Sequence, residues 1–304
     1  MTRREWLALG PAAALSAGPR RSILVHEHVL VDFIGADAIR PGRYDPDEVF
    51  RVARPKLEAI RKFGCVRMLE ATPNFLGRDA RLMRRLSEAT GVEIWVNTGI
   101  YGAAGQKYVP AFARTETAQQ LARRWIGEAR RGVDGATPRF IKTGVNQAPL
   151  DALDRKLVEA AALASRETGL TIASHTGSGA AALEQVEIVT ARKVAASKFV
   201  WVHAHSEKDH ALHESFARTG AWLEFDGLSP ASADWHLECL GWMSGRGLLR
   251  QALISHDAGW YRPGEPGGGN YRDYTYLYMD FLPRLKPEWI DVLLWDNPRR
   301  AYGK

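Results

Sequence analysis

Short β-type runs alternate with amphipathic helical stretches along the whole chain, and this alternation restricts the fold more than any other feature. Eight runs lie near 23–28, 66–71, 93–98, 138–143, 170–175, 199–204, 221–226 and 252–257. Between them, apolar residues recur at helical spacing near 46–63, 78–90, 115–131, 150–168, 181–196, 209–219 and 234–249, and a last helix fits 286–295. In 150–168, Leu150, Leu153, Leu157, Ala161 and Ala164 share one face and Gly169 follows as a stop. Eight strand–helix units predict an α/β protein of the (β/α)8, or TIM-barrel, type. A doubly wound open sheet is the alternative, but no Gly-x-Gly-x-x-Gly follows the first strand. No low-complexity tract or linker divides the chain, so residues 22–304 read as a single barrel domain.

Composition narrows the function classes. The chain has 304 residues, 45% of them hydrophobic, enough for one large buried core. Cys65 and Cys239 stand far apart and read as small buried side chains, not as a disulfide framework or a Cys-x-x-Cys zinc signature. The net charge is +6, but the arginines, as in Arg81/Arg84/Arg85 and Arg123/Arg124/Arg130/Arg131, fall on predicted helices as solvated faces. No clear basic stripe marks a nucleic-acid partner. Residues 1–17 combine Arg3-Arg4 with a short apolar stretch and small residues ending at Ala17. This resembles a twin-arginine signal peptide, with export to the periplasm or the exterior as the expectation. The stretch is too short for a permanent membrane anchor.

Potential metal ligands stand at the C-terminal ends of the apolar runs. His26-Glu27-His28 ends the first, and alternation along a strand turns both imidazoles to one face and Glu27 to the other. Lys142, His175, His203 or His205, and Asp257 end later runs. An open sheet would spread these ends along a line; a closed barrel brings them to one mouth, where such enzymes keep their chemistry. A binuclear hydrolytic site needs neutral imidazoles, a carboxylate and a bridging anion. Lys142 suits it only if burial keeps the amine neutral, so that it reacts with carbon dioxide to form a carbamate. His203 and His205 share a strand face by the same alternation. His256, next to Asp257, points away from it and reads as a packed or capping residue. His210, His213 and His236 fall on predicted helices or loops and read as surface residues.

This ordered set resembles the phosphotriesterase family of the amidohydrolase superfamily over nearly the whole chain after the signal. The matching segments are His26-Glu27-His28, Glu70-Ala71-Thr72 with Gly77-Arg78-Asp79, Thr98-Gly99-Ile100-Tyr101, Ile141-Lys142, His175-Thr176, His205-Ser206, Ser255-His256-Asp257 and Asn297-Pro298-Arg299-Arg300. The His-Ser pair favours His205 over His203. The resemblance implies two divalent cations, zinc being expected and manganese, cobalt or iron also suiting such ligands. His26, His28 and Asp257 would hold the more buried ion and His175 and His205 the more exposed one. A carbamate on Lys142 and a hydroxide would bridge them, and Asp257 would take the proton as the nucleophile attacks.

The resemblance implies hydrolysis of a small-molecule ester, a lactone above all, with phosphotriesters as a side activity. Tyr101 is similar to a tyrosine of the lactonase-like branch, and Trp260 and Tyr261 are expected to wall the substrate pocket. The long glycine- and aromatic-rich loop 259–275 is placed to act as a lid. Two segments depart from the family pattern. Glu224-Phe225-Asp226-Gly227-Leu228 carries neither the histidine of the organophosphate hydrolases nor the arginine of the acyl-homoserine lactonases after its aspartate, and the stretch from Gly102 to Thr115 differs from both. Family members are often dimers, so a homodimer is a further expectation. The competing readings are a metal-dependent phosphodiesterase or nuclease, disfavoured by the scattered arginines, and a catalytically silent ligand-binding barrel, disfavoured by the complete set of ligand positions.

Overall fold

The computed structural model describes residues 21–303; the expected signal peptide lies outside them. The strands are β1 (Ser22–Leu30), β2 (Cys65–Glu70), β3 (Glu93–Trp95), β4 (Asn97–Thr98), β5 (Phe140–Gly144), β6 (Ile172–His175), β7 (Phe199–Val202), β8 (Trp222–Phe225), β9 (Ala252–Ile254) and β10 (Gly259–Tyr261). Every strand pairing is parallel, in the order β10-β1-β2-β3 and β4-β5-β6-β7-β8-β9. β3 and β4 are the halves of the expected 93–98 run, parted at Val96, whose carbonyl accepts the Arg139 N–H at 2.9 Å. The ring closes where Asp257 N–H donates to the His26 carbonyl at 3.2 Å and His26 N–H donates to Ser255 Oγ at 3.1 Å. The expected closed barrel of eight strand positions is therefore formed, and β10 is an addition that extends β1 at its mouth end.

The helices on the outside are α1 (Pro46–Lys62), α2 (Ala80–Thr90), α3 (Ala111–Thr115), α4 (Ala118–Arg131), α5 (Ala152–Thr168), α6 (Gly179–Ala191), α7 (His210–Arg218), α8 (Ala233–Gly245), α9 (Pro287–Asp291) and α10 (Asn297–Tyr302). Their starts are set by side chains that accept otherwise orphaned N–H groups. Asp79 caps α2 through Leu82 N–H at 2.8 Å, and Asp151 caps α5 through Asp154 N–H at 2.8 Å. Thr117 and Gln120 form a reciprocal capping box, which is why the stretch expected at 115–131 begins as a helix only at Ala118. The last helix runs past its expected end at 295, through a π-helical turn at Val292–Asp296, into α10. No helix among the described residues is long and apolar enough to cross a membrane.

The barrel interior is layered from an apolar floor to a polar mouth. Ile23, Val25, Leu69, Trp95, Phe140, Ala173, Val200, Trp222 and Leu253 pack together at the floor, with Tyr302 of α10 closing it. Two residues further along the same inward-facing rows come Ala71, Lys142, His175 and Glu224. On β1 the inward row changes phase: Ile23 and Val25 face in, and so do His26 and His28. A register shift against β2 between Leu24 and Glu27 absorbs the odd spacing, as a β-bulge does. The Gly-Arg-Asp and Asn-Pro-x-Arg segments are structural. Arg78 joins the Asn97 carbonyl to Glu128 of α4, and Asn297 donates to the carbonyls of Leu249 and Ala252 beneath β9.

At Gly99 the chain passes so close to β5 that an added Cβ would lie 2.0 Å from the Lys142 carbonyl oxygen, with φ at +123°. Gly169, at the C-cap of α5, also has positive φ but open space around it. Gly99→Ala is therefore expected to lower the unfolding free energy by about 3 kcal/mol or more, through strain and overpacking together. Gly169→Ala should cost only about 1 kcal/mol, the left-handed penalty alone. Urea titration of both variants checks the difference.

Candidate active site

The inward rows end in a cavity of about 80 Å³ at the C-terminal mouth of the barrel. His26 and His28 of β1, Lys142 of β5, His175 of β6, His203 after β7 and Asp257 after β9 line it, with Tyr101, Trp260, Phe33, Val31 and Ala71 around them. Of the residues singled out in the sequence, the structure thus gathers His26, His28, Lys142, His175, Asp257, Tyr101 and Trp260. His203, Asp257 and Trp260 hold left-handed backbone, with φ of 67°, 52° and 77°. Non-glycine residues rarely do so, and such strain clusters at functional sites.

His205 and Tyr261 do not reach the cavity. Alternation would have put His203 and His205 on one face, but β7 ends at Val202 and the left-handed turn at His203 starts a 3-10 turn over Ala204–Ser206. That turn swings His203 inward, 4.4 Å from His175 and 5.3 Å from His26 between ring centroids. His205 instead lies over Gly227, where an added Cβ would come within 2.4 Å of its Nε2, and stacks on His236 at 5.3 Å. The glycine after Asp226 thus makes room for this ring. Tyr261 is excluded by the same alternation that admits Trp260: adjacent residues of β10 face opposite ways, and Tyr261 packs beneath Gly268 of its own loop.

The loop 259–275 is tied down at both ends. β10 pairs with β1, Arg272 N–H donates to the Gly259 carbonyl at 3.0 Å, and Tyr274 OH donates to the His28 carbonyl at 2.6 Å. His256 is packed as expected, its Nδ1 on Glu27 at 2.7 Å and its Nε2 accepting from Leu277 N–H at 2.9 Å. His213 and His236, expected at the surface, are fully buried.

Hydrogen bonds around the cavity set which ring nitrogens carry protons. Thr72 OH donates to Glu70 Oε1 at 2.6 Å, so its oxygen accepts from His28 Nδ1–H at 2.7 Å. His28 Nε2 is then a lone pair, and it faces Asp257 Oδ1 at 3.0 Å. That oxygen is buried and has no hydrogen-bond partner. Two acceptors at such a separation require a cation or a proton between them. On the opposite side, His26 Nδ1 lies 2.7 Å from Glu224 and 3.0 Å from Asp226, and His203 Nδ1 lies 2.6 Å from Asp226. Both rings donate outward to carboxylates and turn Nε2 toward the cavity, the arrangement that metal-ligating histidines adopt. The donor set therefore fits divalent cations.

The charge balance follows from burial against this acid cluster. Burial opposes protonation of His26, but the Asp226 and Glu224 carboxylates outweigh it and push its pKa up to about 10. Burial lowers His28, and it lowers His175 strongly with help from His203 and Lys142, so these two rings stay neutral. Burial also lowers Lys142, against the pull of Glu224, Asp226 and Asp257. Burial works against ionisation of Asp257 as well, yet His28, His26 and His203 hold that carboxyl below the ordinary carboxylate range.

Glu27, Glu70, Thr72, Glu224 and Asp226, the groups that orient the others, carry no assigned role in the sequence alone. Their signal was available in part, since Glu224 and Asp226 alternate at the end of an apolar run as His26 and His28 do.

A parallel barrel with a histidine- and acid-lined mouth defines a class of hydrolases. The chain belongs to the phosphotriesterase family, whose profile matches residues 11–302. It is 26% identical over 299 residues to the phosphotriesterase homology protein of Escherichia coli K12, covering 95% of this chain and all of that one. It is 26% identical over 286 residues to the aryldialkylphosphatase of Saccharolobus solfataricus, covering 90% and 85%. Among solved structures, it is similar to a triple mutant of the organophosphorus hydrolase of Deinococcus radiodurans, with a TM-score of 0.83, 25% identity and 94% of each chain covered.

His203→Ala is expected to weaken zinc binding by more than ~100-fold, whereas His205→Ala should change it by less than ~10-fold. Competition with a chromophoric chelator measures both. The reverse order would return the ligand role after β7 to His205.

Proposed function

We propose that the chain is a binuclear metal hydrolase that opens a carboxylic ester, a lactone above all, with phosphotriesters as a side activity. The observation that carries this reading is the meeting of His28 Nε2 and the unpartnered Asp257 Oδ1 in a cavity that His26, Lys142, His175 and His203 also line. His26, His28 and Asp257 would hold the inner cation, His175 and His203 the outer one, and Lys142 as a carbamate would serve both. Zinc suits these ligands best, and manganese, cobalt or iron would also bind. Bound there, the cations supply a Lewis acid and a water that ionises near neutrality.

The chain's own residues account for the rest. Lys142 is buried and its pKa lowered, so the amine has the lone pair that carbamate formation requires: the N–C bond to carbon dioxide forms as one N–H proton leaves. Among the described residues Asp257 is the one carboxylate lining the cavity, so its carboxylate would accept the proton from an attacking water. Tyr101 lies edge-on to His175 at 5.0 Å, and Trp260 edge-on to His28 at 5.6 Å. Phe33 packs against Trp260 at 5.5 Å and is partly exposed at the mouth. These rings exclude water and offer an apolar wall to the acyl chain or aryl group of an ester. Tyr108, from the divergent Gly102–Thr115 stretch, supports the wall from behind at 5.8 Å from Tyr101.

Zinc-reconstituted protein is to be assayed on a panel of lactones, linear esters and phosphotriesters, with ion content measured in parallel. Lactones should give the highest kcat/KM. Lys142→Ala and Asp257→Asn should each lower it by ~100-fold or more. Unchanged turnover in both variants would refute the assigned roles.

A further inference from the structure

A second group of metal-binding side chains lies behind the active-site turn, between α7 and α8. One ligand atom each from His210, His213 and Cys239 falls within 4.8 Å of the others. His213 and Cys239 are fully buried, and His210 is partly covered. In a tetrahedral site with metal–ligand bonds of about 2.0–2.3 Å, ligand atoms stand roughly 3.3–3.8 Å apart, so this group needs only a small contraction.

Proton placement makes the arrangement more than a coincidence of distance. His213 Nε2 lies 2.8 Å from the Ala204 carbonyl, an acceptor only, so Nε2 carries the proton and Nδ1 is a lone pair. His210 Nε2 lies 3.4 Å from the Glu238 carboxylate, which likewise favours the proton on Nε2. The two Nδ1 atoms face each other at 3.2 Å, close enough for one cation to bind both, or for His210 Nδ1–H to donate to His213 when no cation is bound. Burial lowers the pKa of His213, which keeps that ring a neutral ligand. The His210 ring is stacked between Trp235 at 5.1 Å and Trp242 at 5.0 Å, both close to parallel, so its direction is fixed in advance. The His213 ring is thus set by a hydrogen bond on its far side and the His210 ring by stacking, as in sites where outer partners orient metal-binding imidazoles.

We propose that His210, His213 and Cys239 bind one thiolate-seeking d-block cation of the zinc type, separate from the ions of the active site. Binding breaks the S–H bond of Cys239, releasing the proton to solvent as the metal–sulfur bond forms. Burial pushes that thiol's pKa up to about 12, so weakly polarising cations such as magnesium or calcium are excluded. The site's reach into function is through the Ala204 carbonyl. Ala204 lies between His203 and His205 in the 3-10 turn, so a cation that fixes His213 also fixes the turn that carries His203 into the catalytic cavity.

Cobalt(II) titration of the metal-free full chain tests this, because no cysteine lines the active site and a sulfur-to-cobalt charge-transfer band in the near ultraviolet reports thiolate ligation alone. The band is expected in the wild type and in His203→Ala, lost in Cys239→Ser, and weakened at least ~10-fold in apparent affinity in His210→Ala. His210 is partly exposed, so that variant keeps the test sound should Cys239→Ser fail to fold by circular dichroism. No band at any cobalt loading, or a band of full strength in His210→Ala, would overturn the proposal. Loss of esterase activity with the band intact would count against the proposed function and leave this site standing.

Discussion

The buried carboxylate of Glu27 is the tie on which barrel closure and the active site both depend. Its Oε1 accepts from Ser255 OH at 2.8 Å, His256 N–H at 3.0 Å and His256 Nδ1–H at 2.7 Å, and its Oε2 accepts from Ala258 N–H at 2.9 Å. One side chain of β1 thereby fastens the four residues that follow β9, with the left-handed Asp257 in their midst. A carboxylate with this many donors is satisfied without solvent, and removing it would leave several buried donors unpaired at once. The alternation that sends His26 and His28 into the mouth sends Glu27 the other way. The first strand thus supplies two cavity imidazoles and the clasp that brings Asp257 to them.

The acids at the end of β8 perform the matching task on the far side. Glu224 and Asp226 are fully buried, and on their own both would be forced toward protonation. Burial does push Glu224 up to about 7. Asp226 behaves oppositely: burial opposes its charge, but His203 and His26 hold it well below the usual range. Its carboxylate sits between rings from the first and seventh strands, so it fixes the spacing of two cavity histidines that are distant in sequence. A group tuned in this way orients imidazoles without itself entering the cavity. The segment that departs from better-known relatives at Gly227 still retains the acid this task needs.

The fold was legible because both periodicities are imposed by burial, and burial leaves its mark residue by residue. The eight runs and most helices appear within a few residues of where apolar spacing puts them. His26, His28, Lys142, His175 and Asp257 were legible for a geometric reason: a barrel turns the ends of its strands to one mouth. His205 and Tyr261 lie outside the cavity lining for one physical reason. Strand alternation is valid only while the chain remains a strand. It continues through Trp260 and Tyr261, so only one of them reaches the cavity, and it stops at Val202, so His203 and His205 diverge. The left-handed residue that makes the difference is a histidine, with no glycine to announce it. Glu27 was read only as the residue that points away, because its partners stand 228 and more positions later.

Backbone strain and polar frustration coincide at the mouth. His203, Asp257 and Trp260 occupy a region of backbone space that costs about 1 kcal/mol or more each. Two of them also carry an unmet polar atom: Asp257 Oδ1 faces the His28 Nε2 lone pair, and the Trp260 indole N–H finds no acceptor among the described residues. Neither cost is relieved among the described residues, and each is sustained by a hydrogen-bonded neighbour: Asp226, which accepts from His203 Nδ1–H, and Glu27, which clasps the residues on either side of Asp257. A barrel whose floor is closed by Tyr302 and whose ring is clasped by Glu27 is rigid enough to hold this frustration in place. A divalent cation would relieve it, since it satisfies facing acceptors in a single step and is indifferent to the backbone conformation that presents them. The strain at the mouth is in this sense the complement of the ligand.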